Sequence, residues 1–172
     1  MSLTEEELRE RVGEVPGEPE ALRQLAELVG RHRGRKGEAV EIWLRYVNAA
    51  PSSEKAEALL ALARAQVEAR QNEEAIETLQ RCTAEDPGRF AGLELLGELL
   101  RQVGRIEEAV GVFERAVEID SEAVQPRVAL VSCLDALGRP REAEAVLAQV
   151  RAMGTGDPAV LALVQELMRR RE

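Results

Sequence analysis

A period of close to 34 residues constrains this chain more than any other feature: an alanine followed four positions later by a bulky residue recurs as Ala39/Trp43, Ala75/Leu79, Ala109/Phe113 and Ala143/Leu147, at intervals of 36, 34 and 34 residues. A four-residue step puts both members of each pair on one helical face. Repetition at this interval marks units that bury their apolar faces only by stacking on one another. Gly104 to Asp120, GRIEEAVGVFERAVEID, is the best-formed copy, with a turn glycine, the pair Ala109/Phe113, Ala116 and Val117 one turn on, and an acidic end. Such a pattern speaks to architecture and mode of action, and leaves the identity of a partner open.

The 172 residues accommodate about five units of this period in a row. Ala, Leu, Glu and Arg dominate and aromatics make up only 2%, so strand formers are too few for a sheet. A net charge of −9 argues against nucleic acid, which needs a basic face to displace phosphate counterions, and against an anionic membrane surface. No run approaches eighteen apolar residues and the N-terminus MSLTEEELRERV is polar, so a cytoplasmic protein is expected. The 21 arginines against two lysines hint at a bacterial source. Cys82 and Cys133 fall on apolar helix faces and are expected as buried free thiols. The one histidine, His32, lies among arginines in a turn.

Start and stop signals divide the chain into helices. Thr4 and Glu7 form a capping box, with Leu3 able to staple onto Leu8, for a short helix over Leu3 to Val12 that reads as an N-terminal flap or cap. Gly13, Pro16, Gly17 and Pro19 separate it from the helix pairs. Those pairs span about Glu20 to Arg31 and Glu38 to Ala49, Ser53 to Arg70 and Glu73 to Glu85 after an Asn72 cap, Pro87 to Val103 and Arg105 to Glu118, and Ser121 to Leu137 and Pro140 to Met153. Asp86-Pro87 reads as a cap followed by proline at the first helical position. A last helix runs from Asp157-Pro158 to about Arg171 and reads as a solvating cap.

Lined up in this way, the chain resembles the tetratricopeptide repeat family. The third unit carries the resemblance best, with Leu93, Leu96-Gly97, Leu100, Gly104, Ala109, Phe113 and Ala116. The second gives Leu59, Leu62-Ala63, Gln66, Ala75, Leu79, Cys82 and Asp86-Pro87, and the first gives Leu22, Leu25-Ala26, Val29, Ala39, Trp43, Tyr46 and Pro51 if one extra residue lies in its turn. The fourth is weaker, with Arg127, Leu130-Val131, Leu134, Gly138, Ala143, Leu147 and Val150. The resemblance implies an all-α, right-handed alpha-solenoid of about four helix-turn-helix repeats (19–53, 54–89, 90–123 and 124–157), with a short N-terminal helix and linker over 1–18 and a capping helix over 157–172.

Small residues are needed where helix backbones approach, so Gly97, Ala63 and Ala26 should face their own mates, and Ala39, Ala75, Ala109 and Ala143 the helix before or after. Two residues added before Ala56 should lengthen the first helix of the second repeat or loosen the turn before it.

No glycine-rich phosphate loop, nucleophile elbow or zinc constellation is present, so neither enzyme activity nor a cofactor or metal is expected. Glu94, Glu98 and Asp135 read as solvated carboxylates rather than an acid–base set. The resemblance implies instead a scaffold or adaptor that takes a peptide or amphipathic helix of a partner protein in a groove lined by the first helix of each repeat. Those positions are Arg23, Glu27 and Arg31; Leu60, Arg64 and Val67; Glu94, Glu98 and Arg101; and Val128, Ser132 and Asp135. Leu60, Val67 and Val128 stand off the core stripe and are expected as exposed apolar anchors. Clamp-type binding of a chaperone's C-terminal carboxylate is not expected, because Glu27, Leu60, Glu94 and Glu98 would repel it or offer it nothing. The alternative is a structural subunit that oligomerises through its terminal helix, where Val160, Leu161, Leu163, Val164, Leu167 and Met168 cover more than one face.

Overall fold

The computed structural model describes residues 3–154 and, beyond them, Ala162, Gln165, Glu166 and Arg169. The expected terminal helix, with its apolar residues from Val160 to Met168, otherwise lies outside the described residues. Helices α1 (Glu5–Glu14), α2 (Pro19–Gly30), α3 (Lys36–Ala49), α4 (Lys55–Glu68) and α5 (Asn72–Glu85) precede α6 (Phe90–Gln102), α7 (Ile106–Ile119), α8 (Val124–Ala136) and α9 (Pro140–Ala152). No strand occurs among the described residues, and the fold is an all-α helical repeat of the solenoid class.

The chain divides between Arg89 and Phe90 into two compact units. In the first, α1 packs on α2, α2 on α3, α3 on α4 and α4 on α5. In the second, α6 packs on α7, α7 on α8 and α8 on α9, and α6 also touches α8. An internal helix therefore has a neighbour on two sides. Its buried stripe is correspondingly wide.

Helix α1 starts at the capping box: Glu7 N donates to Thr4 Oγ1 at 3.3 Å, and Thr4 N to Glu7 Oε2 at 2.7 Å. It buries Leu8 and Val12. A ring of charge fastens its first turns to the start of α3, for Arg35 meets Glu5 at 2.6 Å and Glu38 at 2.7 Å, while Arg9 meets Glu5 at 2.9 Å and also pairs with Glu38. Hydrogen bonds from Arg35 and then Arg9 pull the Glu5 and Glu38 carboxyls down to about 2. Charge thus docks this helix beside its small apolar contact.

The turns carry the repeat as clearly as the helices do. Gly104 and Gly138 adopt φ of 84° and 68°, the left-handed conformation in which the next residue's N–H reaches back to close the helix: Arg105 N to Leu100 O and Arg139 N to Leu134 O, each 2.9 Å. In the second repeat the same place is filled by Arg70, at φ 62°, with Gln71 N bonded to Gln66 O at 2.9 Å. The irregularities expected in the first two repeats fall in turns. A 3-10 segment at Arg33–Arg35 takes up the extra residue before α3, and another at Ser52–Glu54 takes up the residues added before Ala56.

Two expected starts are corrected. Asp86 does not cap a helix beginning at Pro87; its Oδ1 accepts from Gly88 N at 3.1 Å, closing a local turn, and α6 begins at Phe90. Asp120 does the same for Glu122 N at 2.9 Å, and α8 begins at Val124. An aspartate side chain competes well for a backbone N–H two residues ahead, and that turn displaces the helix start. Asn72 is likewise the first residue of α5 and not its cap, since no side chain caps that helix.

Gly97 lies in the slot expected of it. A Cβ built there would stand 2.6, 2.8 and 2.9 Å from Phe113 Cε1, Cζ and Cδ1, so the ring of α7 occupies the space a side chain on α6 would need. Gly30 approaches α3 less closely, with its Cβ position 3.7 Å from Ala39 Cβ. Cys82 and Cys133 are free and buried, and burial pushes both thiols up. The weak fourth repeat shows its cost at Arg127, which takes the register place of Leu22, Leu59 and Leu93. It is 7% exposed, donates Nη1 to Ala123 O at 2.6 Å, and leaves Nε without a partner.

Candidate functional site: a groove on the first unit

Helices α2, α3 and α4 enclose an open groove of about 600 Å³. Its floor is made of small residues, Ala26, Gly30, Ala39, Ala61 and Ala65, which keep the helix backbones close and the floor low. One wall is Trp43, half-buried, with Tyr46 against it edge to face at a centroid distance of 5.6 Å and an interplanar angle of 71°. The Tyr46 hydroxyl donates to Glu54 Oε2 at 3.2 Å, which fixes the phenol behind the indole. Burial, and then the Glu54 carboxylate, push that phenol up.

Charges ring the groove, and most are matched. Arg23 bridges Glu20 at 2.7 Å and Glu27 at 3.1 Å, Lys36 pairs with Glu68 and donates to Gly30 O, and Glu57 is held by Arg89 at 2.5 Å. Arg31 and Arg64 also line the groove, both exposed, and neither has a carboxylate partner among the described residues. A smaller recess of about 470 Å³ between α1 and α2 shares Glu27 and Arg31 with it.

Of the residues expected to choose a partner, the structure brings Arg23, Glu27, Arg31 and Arg64 together on this groove. The expectation of exposed anchors is corrected at two positions. Leu60 and Val128 are 4% and 3% exposed, because α4 lies between α3 and α5, and α8 between α7 and α9 with α6 alongside. Val67 is half-buried and does not line the groove. Leu60, buried, offers a carboxylate nothing, and Glu27 shares the single charge of Arg23 with Glu20.

In the second unit Glu98 pairs with Arg101 at 2.8 Å and accepts from Gln102 at 2.8 Å; the Arg101 bond lowers its carboxyl. Desolvation, and then Asp120, raise Glu94. Ser132 donates to Val128 O at 3.1 Å, and Asp135 is half-buried on the same helix.

Trp43 and Tyr46 are among the groove residues that sequence reasoning misses, because both read as packing. The available signal is the residue opposite. Where the third repeat sets glycine at 97 against Phe113, the first sets Ala26 against a larger ring.

Among the described residues no group of three or more His, Cys, Asp or Glu is placed to hold a metal, and no helix is long and apolar enough to cross a membrane. Stacked helix-turn-helix pairs with small residues at the crossings define the class of helical repeat proteins. Within that class the chain belongs to the tetratricopeptide repeat family, whose models match residues 60–124 and 100–167. Solved structures agree in fold. The crystal structure of MamA is 19% identical over 86% of this chain and 84% of its own, with a TM-score of 0.74. YrrB, described as a TPR protein with an unusual peptide-binding site, is 14% identical over 92% and 80%, with a TM-score of 0.76. The Yersinia enterocolitica type III secretion chaperone SycD, solved in complex with a peptide of the translocator YopD, is 20% identical over 67% and 94%, with a TM-score of 0.59. No curated protein sequence matches the chain significantly.

Proposed function

We propose that this protein is a non-catalytic interaction module that holds a peptide or a helix of a partner protein in the groove over α2, α3 and α4. The observation that carries the reading is Trp43: a large aromatic side chain half-buried on a floor of alanines, braced by Tyr46, with space beside it. A braced aromatic loses little conformational freedom when a partner docks, which is what makes such a residue an interface anchor. That YrrB and SycD are described with bound or binding peptides supports the same mode of action. Arg23, Glu27, Arg31 and Arg64 are the polar rim of the groove on this reading.

Selection of a random peptide display library on the whole chain tests it. Binders should be recovered, and Trp43→Ala should abolish capture of most of them while leaving the folded far-ultraviolet signal intact. Recovery of no binders, or of binders indifferent to Trp43→Ala, would rule out the groove as the binding surface.

A further inference from the structure

The chain has two lysines among its 23 lysines and arginines, and both are used in the same way. Lys36 is the first residue of α3 and Lys55 the first of α4, each directly after a 3-10 segment. Each ammonium reaches back to a carbonyl in the last turn of the helix before, Lys36 to Gly30 O on α2 and Lys55 to Val47 O on α3. The α2–α3 turn has need of such a bond. The second, third and fourth repeats close their first helix through a left-handed residue, at Arg70, Gly104 and Gly138, whereas no residue of the α2–α3 turn has a positive φ. A cation at a helix C-terminus satisfies a carbonyl that the backbone leaves open and complements the helix dipole.

Lys36 does more than Lys55. The same ammonium pairs with Glu68, so one side chain joins the last residue of α2 to the last residue of α4, and Gly30, Lys36 and Glu68 all line the groove. A compact ammonium with three donors holds a carbonyl and a carboxylate at once. We propose that Lys36 is a positioning residue of the groove, which fixes the spacing of the walls α2 and α4 at this end before an occupant arrives and does not itself touch the occupant. The inference rests on the proposed peptide-binding role of the groove and adds how the groove is kept ready. An exposed ion pair and a single capping bond are each weak, so the bridge tunes preorganisation and leaves the fold to the packed helices.

Acrylamide is neutral, so its quenching of Trp43, the only tryptophan, follows how open the groove is and not its charge. Lys36→Met and Glu68→Ala should each raise the quenching constant, and the double variant should raise it no further than Lys36→Met, because both changes cut the same bridge. A Trp43-dependent peptide from the display library should bind Lys36→Met about fivefold more weakly, the change expected from losing one exposed ion pair and one cation at a helix C-terminus. Glu68→Ala keeps the bond to α2 and should weaken binding less, in the same direction. Unchanged quenching in Lys36→Met, or effects that add in the double variant, would overturn the inference. Tighter binding by Glu68→Ala would overturn it too, since the freed ammonium would then be acting on the occupant itself. The quenching needs no peptide, so a groove that binds nothing would sink the peptide-binding role and leave the spacing still tested. Glu68 is exposed at the end of α4, so urea melts of Glu68→Ala should match wild type and separate a change of spacing from loss of fold.

Discussion

Phe113 and Trp43 hold the same place in the register of their repeats and meet opposite fates. On α7, Phe113 is 3% exposed and its ring lies where a side chain on residue 97 would have to be. On α3, Trp43 is half-buried and forms the wall of a groove whose floor includes Ala26. The residue at the crossing differs by one methyl group, Gly97 in the third repeat and Ala26 in the first, and the first repeat carries the larger ring. The crossing at Gly97 is built around its ring, and the one at Ala26 leaves its ring on a groove.

The most damaging substitution should be Phe113→Ala, which opens a cavity between α6 and α7 and should cost about 3–5 kcal/mol. Trp43→Ala removes more atoms from a half-open site, and its cost in urea melts should be no more than about half as large. Equal losses would mean that Trp43 is core after all.

Gly97→Ala sharpens the same comparison. Its new Cβ meets the Phe113 ring and should cost on the order of 1–3 kcal/mol, as the bulkier Gly97→Leu should also. Adding Phe113→Leu to Gly97→Ala recreates the residue pair that the second repeat carries at Ala63 and Leu79. The double variant should lose less than the sum of the two single changes, and strict additivity would refute the contact.

A smaller effect of opposite sign is expected at Arg70. Glycine occupies the corresponding turn in the third and fourth repeats, so Arg70→Gly should relieve the left-handed strain and raise stability by about 0.5 kcal/mol after the entropy of glycine in the unfolded chain is allowed for. A loss would show that the Arg70 side chain contributes more than its backbone costs.

The least global of these effects concerns α1. Glu5 and Glu38 have their carboxyls lowered from 4.5 to about 2 by Arg35 and Arg9, so the docking they confer is complete above pH 4.5 and fades as the pH falls towards 2. Amide protection in α1, relative to the intrinsic exchange rate at each pH, should fall over that window, and also in high salt, before α4 or α7 responds. A uniform loss of protection in all three helices would contradict a latch of charge.

Much of this is legible in the chain. The alanine period locates the helix pairs, Thr4 and Glu7 the first cap, and Gly97 the tightest crossing. Sequence reasoning fails wherever the answer depends on how many neighbours a helix has. Leu60 and Val128 stand beyond the stripe that one partner helix would cover, and a second partner buries them. Trp43 escapes it for the converse reason, since its hydrophobicity argues for burial and it stands half-buried on the groove. The starts of α6 and α8 are hidden because Asp86 and Asp120 make turns of their own before a helix begins. The groove rim is legible in part, at Arg23, Glu27, Arg31 and Arg64. That Arg31 and Arg64 stand without a carboxylate partner among the described residues becomes visible only once the ion pairs of the rim are laid out.

Collisional quenching of Trp43 by iodide and by caesium tests the central claim most directly, because one fluorophore reports both the openness of the groove and the sign of its charge. Both ions should quench, iodide more strongly despite a net charge of −9, and Arg31→Gln with Arg64→Gln should remove the difference. Emission protected from both ions, or quenched more strongly by caesium, would contradict an open groove of positive charge.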